Sequence, residues 1–214
     1  MSCDTPQAII RDVRIESYVG GINFDHTGSI DVVVTNCTFI GGGLGNLGMK
    51  FTLRACGTVE NCFFTDWNSY AFAVGDAGAV TFRDNVVENC ESTGVGLEGC
   101  LDFTMHDNII DQCVPCVFIG EPCNVQNIHH NYFLRNDEVD GRFVRTTGYY
   151  PGGPWYMDFT NNYWGTTDPE YISQWIYDGN DDSDVGMFVV FEPMADGPVQ
   201  TESTTWGAVK ALFR

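Results

Sequence analysis

One pattern is written three times between Ala79 and Phe133 at a spacing of 23 residues, and it restricts this chain more than any other feature. Val80-Thr81-Phe82-Arg83-Asp84-Asn85-Val86-Val87 is followed by Phe103-Thr104-Met105-His106-Asp107-Asn108-Ile109-Ile110, then by Gln126-Asn127-Ile128-His129-His130-Asn131-Tyr132-Phe133. With the Asn as anchor, the register extends outward to Val13, Cys37, Cys62 and Asn162. Three residues before the seven anchors stand Ile10, Val34, Val59, Phe82, Met105, Ile128 and Phe159. Two after them stand Ile15, Phe39, Phe64, Val87, Ile110, Phe133 and Trp164. All fourteen are apolar. Self-similarity at a period of roughly 20–50 residues marks a solenoid, whose units bury their apolar faces only by stacking on one another.

The local pattern gives the kind of unit. Before each anchor the apolar residues alternate, as in Val80 and Phe82 or Phe103 and Met105, which is the period of a strand. The position just before the anchor holds Asp12, Asn36, Asn61, Asp84, Asp107, His130 and Asn161. Short polar residues there predict a tight bend through the left-handed backbone region. A second strand follows the bend, and a third arrives about ten residues after the anchor: Phe72 and Val74, Val95 and Leu97, Val117 and Ile119. Three short strands per unit, with no helical periodicity between them, predict an all-β, single-stranded parallel β-helix of about seven coils over residues 5–194. Stacking also aligns Asn85, Asn108 and Asn131 into a hydrogen-bonding ladder.

At Asn161-Asn162-Tyr163-Trp164-Gly165-Thr166-Thr167-Asp168-Pro169, with Ile176-Tyr177-Asp178, Asn180-Asp181-Asp182 and Val189 to Pro193 beyond it, the chain resembles the right-handed parallel β-helix superfamily. Pectate lyases and many secreted bacterial repeat proteins belong to that superfamily. The resemblance implies a right-handed winding and a secreted or cell-surface location, and it names no substrate. Residues 169–194 look like the closing unit of such proteins. Asp168 is placed as an N-cap and Pro169 at the first helical position, which predicts a short capping helix from about Pro169 to Tyr177. Its face of Ile172, Trp175 and Ile176 would cover the end of the last coil, and Val185 to Phe191 reads as a final strand. Residues 195–204 form a polar linker. Residues 205–214 form a short apolar tail that either docks on its own domain or is read by export machinery.

Charge narrows the partners. With 29 acidic and 10 basic residues the chain carries a formal charge of −19, which disfavours nucleic acid and anionic membrane surfaces. No apolar run approaches the length of a membrane span. The first strand begins near Ala8 with nothing before it to cap the first coil, so the chain reads as part of a longer protein.

Six of the nine cysteines fall into pairs at equivalent positions of adjacent coils: Cys37 with Cys62, Cys90 with Cys113, and Cys100 with Cys123. Rungs about 4.8 Å apart fit the Cα separation of a disulfide. Buried, stacked free thiols satisfy the same spacing. Cys3, Cys56 and Cys116 are left over, and no double Cys-x-x-Cys motif suggests structural zinc.

Candidate sites fall in three places. Coil six is longer than the others, with 31 residues between Asn131 and Asn162, and its extra loop brings Tyr149, Tyr150 and Trp155, with Arg142 and Arg145 close in sequence. A long loop on a rigid scaffold is a favoured place for binding, and these rings offer flat faces to a polysaccharide or cell-surface glycan. The alternative is that they fold back and seal the side of the solenoid. Asp178, Asn180, Asp181, Asp182 and Asp184 form an oxygen-rich run of the kind that holds calcium, or simply a solvated acidic turn; the spacing is not that of an EF-hand. No other cofactor is implied. The third place is a column two residues before the anchors, Glu60, Arg83, His106 and His129, flanked by Asp84, Asp107 and His130. It joins acid, base and cation, and His106 with His129 offers metal ligands, although outward polar ladders are also what a solenoid shows to water. In enzymes of the resembled superfamily the site usually lies on the third strand, where the outward positions here are Lys50, Ala73, Gly96 and Phe118, a nearly uncharged face. The residues therefore favour a secreted or surface-displayed, non-catalytic β-helix module with weak carbohydrate binding. The alternatives are a fragment of a polysaccharide lyase or glycoside hydrolase, and a structural spacer of a larger surface protein.

Overall fold

The computed structural model describes residues 7–17, 19–25, 31–42, 47–100, 102–120, 123, 125–135, 141–148 and 153–197. Six coils follow one another, each of three strands. They are β1 Gln7–Arg11, β2 Arg14–Ser17 and β3 Ile22–Asp25; β4 Asp31–Thr35, β5 Thr38–Gly41 and β6 Leu47–Thr52; β7 Cys56–Glu60, β8 Phe63–Thr65 and β9 Tyr70–Gly75. The next three are β10 Ala79–Arg83, β11 Val86–Glu88 and β12 Val95–Glu98; β13 Asp102–His106, β14 Ile109–Cys113 and β15 Val117–Ile119; β16 Val125–His129, β17 Tyr132–Arg135 and β18 Val144–Thr146. After these come β19 Trp155–Asp158, helix α1 Pro169–Gln174, β20 Ile176–Tyr177 and β21 Met187–Val190.

First strands stack on first strands to give sheet A (β1-β4-β7-β10-β13-β16), second strands give sheet B (β2 to β17), and third strands with β20 give sheet C (β3-β6-β9-β12-β15-β18-β20). Every pair is parallel and almost every register is the repeat register: Val59, Phe82, Met105 and Ile128 lie in one column. All four are fully buried. Aromatic rings continue the packing between coils, with Phe39 stacked on Phe64 at 4.7 Å and Phe72 on Phe82 at 4.3 Å.

The bend before the anchor is left-handed at all seven positions, with φ between 52° and 58° from Asp12 to Asn161. Asp and Asn tolerate that conformation because a short polar side chain can bond locally; His130 is the bulky exception. Two further left-handed columns were not read from the sequence. One lies four residues after the anchors at Asp66, Asn89 and Gln112, and another follows the third strand at Arg54, Asp76 and Gly99. The first carries its signal openly, since Asp66 and Asn89 are residues of the same type and bond across rungs at 2.5 Å.

The predicted ladder forms and is one rung longer than expected. Asn85 Nδ2 donates to Val59 O and to Asn108 Oδ1, which also accepts from the Asn85 amide. Asn108 and Asn131 repeat this geometry, and Asn162 Oδ1 closes the column by accepting from Asn131 N at 2.8 Å. At the other end Cys62 N donates to Asn85 Oδ1, so the amide ladder gives way to thiols at Cys62 and Cys37.

Three expectations change. Among the described residues the coils with all three strands number six, not about seven. Asn162 and Phe159 take their expected places, but β19 pairs with β21, and Tyr163 makes only an isolated bridge to Tyr132. The helix starts where predicted, with Asp168 Oδ1 accepting from Glu170 N and Tyr171 N, yet it ends at Gln174. Its expected last residues are taken by sheet C, where Ile176 pairs with Val144 and Tyr177 with Arg145. Ile172 and Ile176 still cover the end of the solenoid as buried residues. Cys56, left over by the pairing scheme, is disulfide-bonded, with its partner outside the described residues. The three in-register pairs are free thiols, all buried except the half-buried Cys123.

Trp67, between β8 and β9, is fully buried and donates from Nε1 to Phe39 O. Tyr149, Tyr150, residues 43–46 of the glycine-rich loop, residues 198–204 of the linker and the tail 205–214 lie outside the described residues. Among the described residues no helix is long and apolar enough to cross a membrane.

Candidate functional site

The outward column of sheet A is assembled as the repeat predicts: Glu60, Arg83, His106 and His129 occupy successive rungs. The Arg83 guanidinium pairs with the Glu60 carboxylate and, at 3.1 Å, with Asp84. His106 Nδ1 lies 2.7 Å from Asp107 Oδ2, and the His106 ring stacks on His129 with centroids 5.7 Å apart. His129 Nδ1 meets His130 Nδ1 at 3.3 Å. Burial lowers the His129 pKa, and the neighbouring His130 and His106 lower it further. Burial raises that of Asp84, with Arg83 opposing. Arg83 thus has a carboxylate on either side and His106 one beside it, and half-exposed ion pairs of this kind contribute about 0–1 kcal/mol.

The acidic run after β20 is occupied locally. Asp178 is buried and accepts from Asn180 N and Val189 N, both at 2.8 Å. Asp181 accepts from Asp178 N, and Asp182 accepts from Asp184 N and from the Tyr177 hydroxyl. Asn180 and Asp184 are exposed. Carboxylates engaged in this way stabilise the turn leading to β21. Among the described residues no group of three or more His, Cys, Asp or Glu side chains is placed to hold a metal ion.

The outer face of sheet C is different. Its register runs Asn23, Lys50, Ala73, Gly96, Phe118, Arg145 and Tyr177, one residue per rung. The face expected to be uncharged therefore ends in a cation and a phenol. The next outward column begins Asp25, Thr52, Gly75 and Glu98. Small residues give a flat floor over which larger ones lie. A Cβ on Gly96 would come within 2.4 Å of the Tyr70 ring, and one on Gly120 within 2.8 Å of the Phe118 ring, so both rings rest on glycine. The two rings stand 6.5 Å apart at 59°. Arg142 lies over the Tyr177 ring at 5.3 Å, and the Lys50 amino group reaches beside Gly75. Burial and the charge of Glu98 push the Tyr70 hydroxyl pKa up, which keeps it a neutral donor. Three of the chain's ten basic residues, Lys50, Arg142 and Arg145, belong to this face and its edge.

Of the residues predicted to bind, Arg142 and Arg145 come together around Tyr177, while Trp155 sits on the neighbouring two-stranded sheet. Its side chain is 51% exposed and its amide donates to Gly186 O. Gly186 N in turn donates to Gly148 O, so the two ends of the long loop are fixed side by side. Tyr70, Tyr177, and the exposed Tyr156 packed on Phe188 were missed as site residues. Tyr70 was readable as a ring two residues before an alternating strand. Tyr177 was hidden because the apolar spacing around it mimics a helix.

Three parallel sheets wound about one filled core, with polar and aromatic ladders outside, define the solenoid class to which parallel β-helix proteins belong. The model of the right-handed β-helix region matches residues 2–163, and the chain belongs to that family. The sequence matches no curated protein and no solved structure at a significant level.

Proposed function

We propose that the chain is a secreted or surface-displayed β-helix module that binds a polysaccharide along the outer face of sheet C. The observation that carries the reading is the set of rings resting on glycine: Tyr70 over Gly96 and Phe118 over Gly120, followed one rung on by Arg145 and then Tyr177. Sugar rings present apolar C–H faces and a rim of hydroxyls. The half-exposed rings of Tyr70 and Phe118, held flat over glycine, accept the former, and Glu98, Lys50 and Arg145 bond the latter. From Lys50 to Arg145 the face spans four rungs, about 19 Å, long enough for several linked units. The cations favour a chain carrying carboxylates. The Cys56 disulfide supports an oxidising location.

A glycan array read with the intact protein tests this. Phe118→Ala is expected to weaken the strongest signals about five- to tenfold, the equivalent of about 1 kcal/mol for one lost ring face. Arg145→Glu is expected to abolish signals from uronate-containing chains and spare neutral ones. Retention of every signal in both variants would refute the site.

A further inference from the structure

Of the three cysteine pairs that the repeat stacks, one is built differently from the others. Cys37 with Cys62 and Cys90 with Cys113 are sealed in the core, each side chain at most 1% exposed. Cys123 is half-buried, while Cys100, one rung away, is 1% exposed. The Cys100 amide donates to Cys123 Sγ at 3.2 Å. Gly99, just before that amide, takes φ +64°, so the chain turns through the left-handed region at the end of β12.

We propose that Cys123 and Cys100 form a thiol–disulfide exchange pair, with Cys123 as the attacking sulfur and Cys100 as the resolving one. The substrate class is a small, uncharged or cationic disulfide, because Glu98 and Asp102 stand beside the pair. In the first step the Cys123 thiolate attacks one sulfur of the disulfide R–S–S–R. The S–S bond breaks, a Cys123–S–R mixed disulfide forms, and R–S⁻ leaves and takes a proton from solvent. In the second step the Cys100 thiol gives up its proton and attacks Cys123 Sγ, expelling the second R–S⁻. The two cysteines have then lost two electrons and two protons together, and the disulfide has gained both. Rung spacing of about 4.8 Å lies within the Cα separation that the product needs. The neighbouring Cys100 lowers the Cys123 pKa, while burial and Glu98 oppose it. The hydrogen bond with Cys123 and burial raise that of Cys100, so the attacking sulfur is the one ionised first. Closing the pair ties coil four to coil five next to the floor of sheet C.

The test treats the intact, folded protein with cystamine, a cationic disulfide, at neutral pH and follows each cysteine by peptide mass spectrometry. Cys123 is expected to react at least about tenfold faster than the six buried thiols, and its adduct to give way to a Cys100–Cys123 crosslink. In Cys100→Ser the cysteamine adduct on Cys123 is expected to persist, and in Cys123→Ser the fast phase is expected to vanish. Cys100→Ala, checked for native circular dichroism, serves if the serine at that buried position prevents folding. First reaction at any other cysteine, no reaction at all, or a Cys123 adduct that is stable in the unsubstituted protein would each overturn the assignment.

Discussion

Asn85, Asn108 and Asn131 are each 1% exposed, and their amides are engaged on both sides. Asn108 Nδ2 serves Phe82 O, His106 O and Asn131 Oδ1, and Oδ1 accepts from Asn85 N. Asn108→Ala would leave these buried partners without a bond, and an unsatisfied buried group costs about 1–3 kcal/mol. We expect a loss of about 2–4 kcal/mol, read as a lower urea midpoint at unchanged slope. His129 makes a pH prediction. Its folded pKa lies below the ordinary 6.5, so at pH values just under 6.5 the unfolded chain binds more protons than the folded one. Stability is therefore complete above that range and falls as pH drops through 6.5 toward the lowered folded value. His129→Gln should flatten this part of the profile between about pH 7.5 and 5.5 in urea titrations. At this scale the sequence was most legible where one residue type recurs in one role. The anchor Asn and the left-handed Asp or Asn before it met both conditions. The Tyr70 contact with Gly96 was invisible, because it joins residues that share no position in the repeat.

Strands and helix ends were legible to different degrees for a physical reason. A strand in this fold is fixed by the rung beneath it, so its pattern repeats and can be read many times. Helix α1 is the single helix among the described residues and is fixed by its caps. Its start is written in Asp168 and Pro169, whereas its end is set by the pairing of Ile176 and Tyr177 with β18, a tertiary event. Asp168→Ala should cost about 1 kcal/mol and raise amide exchange in α1 before it does so in sheet A. On sheet C, Gly96→Val would place side-chain atoms where the Tyr70 ring now lies. The ring must swing away, so glycan signals should fall as much as in Phe118→Ala, with only a small change in thermal midpoint. An unchanged array would mean that Tyr70 does not form a wall of the site. The candidate site was half legible: Arg142 and Arg145 were recognised by their nearness to the long loop, but the partner that joins them, Tyr177, comes from an element assigned to the helix.

Each strand of sheets A, B and C pairs only with the rungs directly above and below it. Stability in such a molecule is close to a sum of nearest-neighbour terms, and weakening one central interface separates the ends. Phe82 occupies that place, since its ring lies against Phe72 at 4.3 Å and Phe64 at 6.0 Å in the coil beneath. Phe82→Ala should cost about 3–5 kcal/mol from lost transfer and the cavity left behind. It should also break the cooperativity of unfolding, which Ile10→Ala, at the already exposed first coil, should not. The tryptophans give a way to see this. Trp155, Trp164 and Trp175 lie beyond coil six, so in a Trp67→Phe background with Trp206 also replaced by Phe, fluorescence reports that end, whereas far-ultraviolet circular dichroism reports all coils. The two melting curves should coincide in that parent and separate in the Phe82→Ala variant, the fluorescence transition keeping its midpoint while part of the dichroism is lost earlier. Curves that move together would show coupling that reaches across the whole column, and the nearest-neighbour description would not hold for this chain.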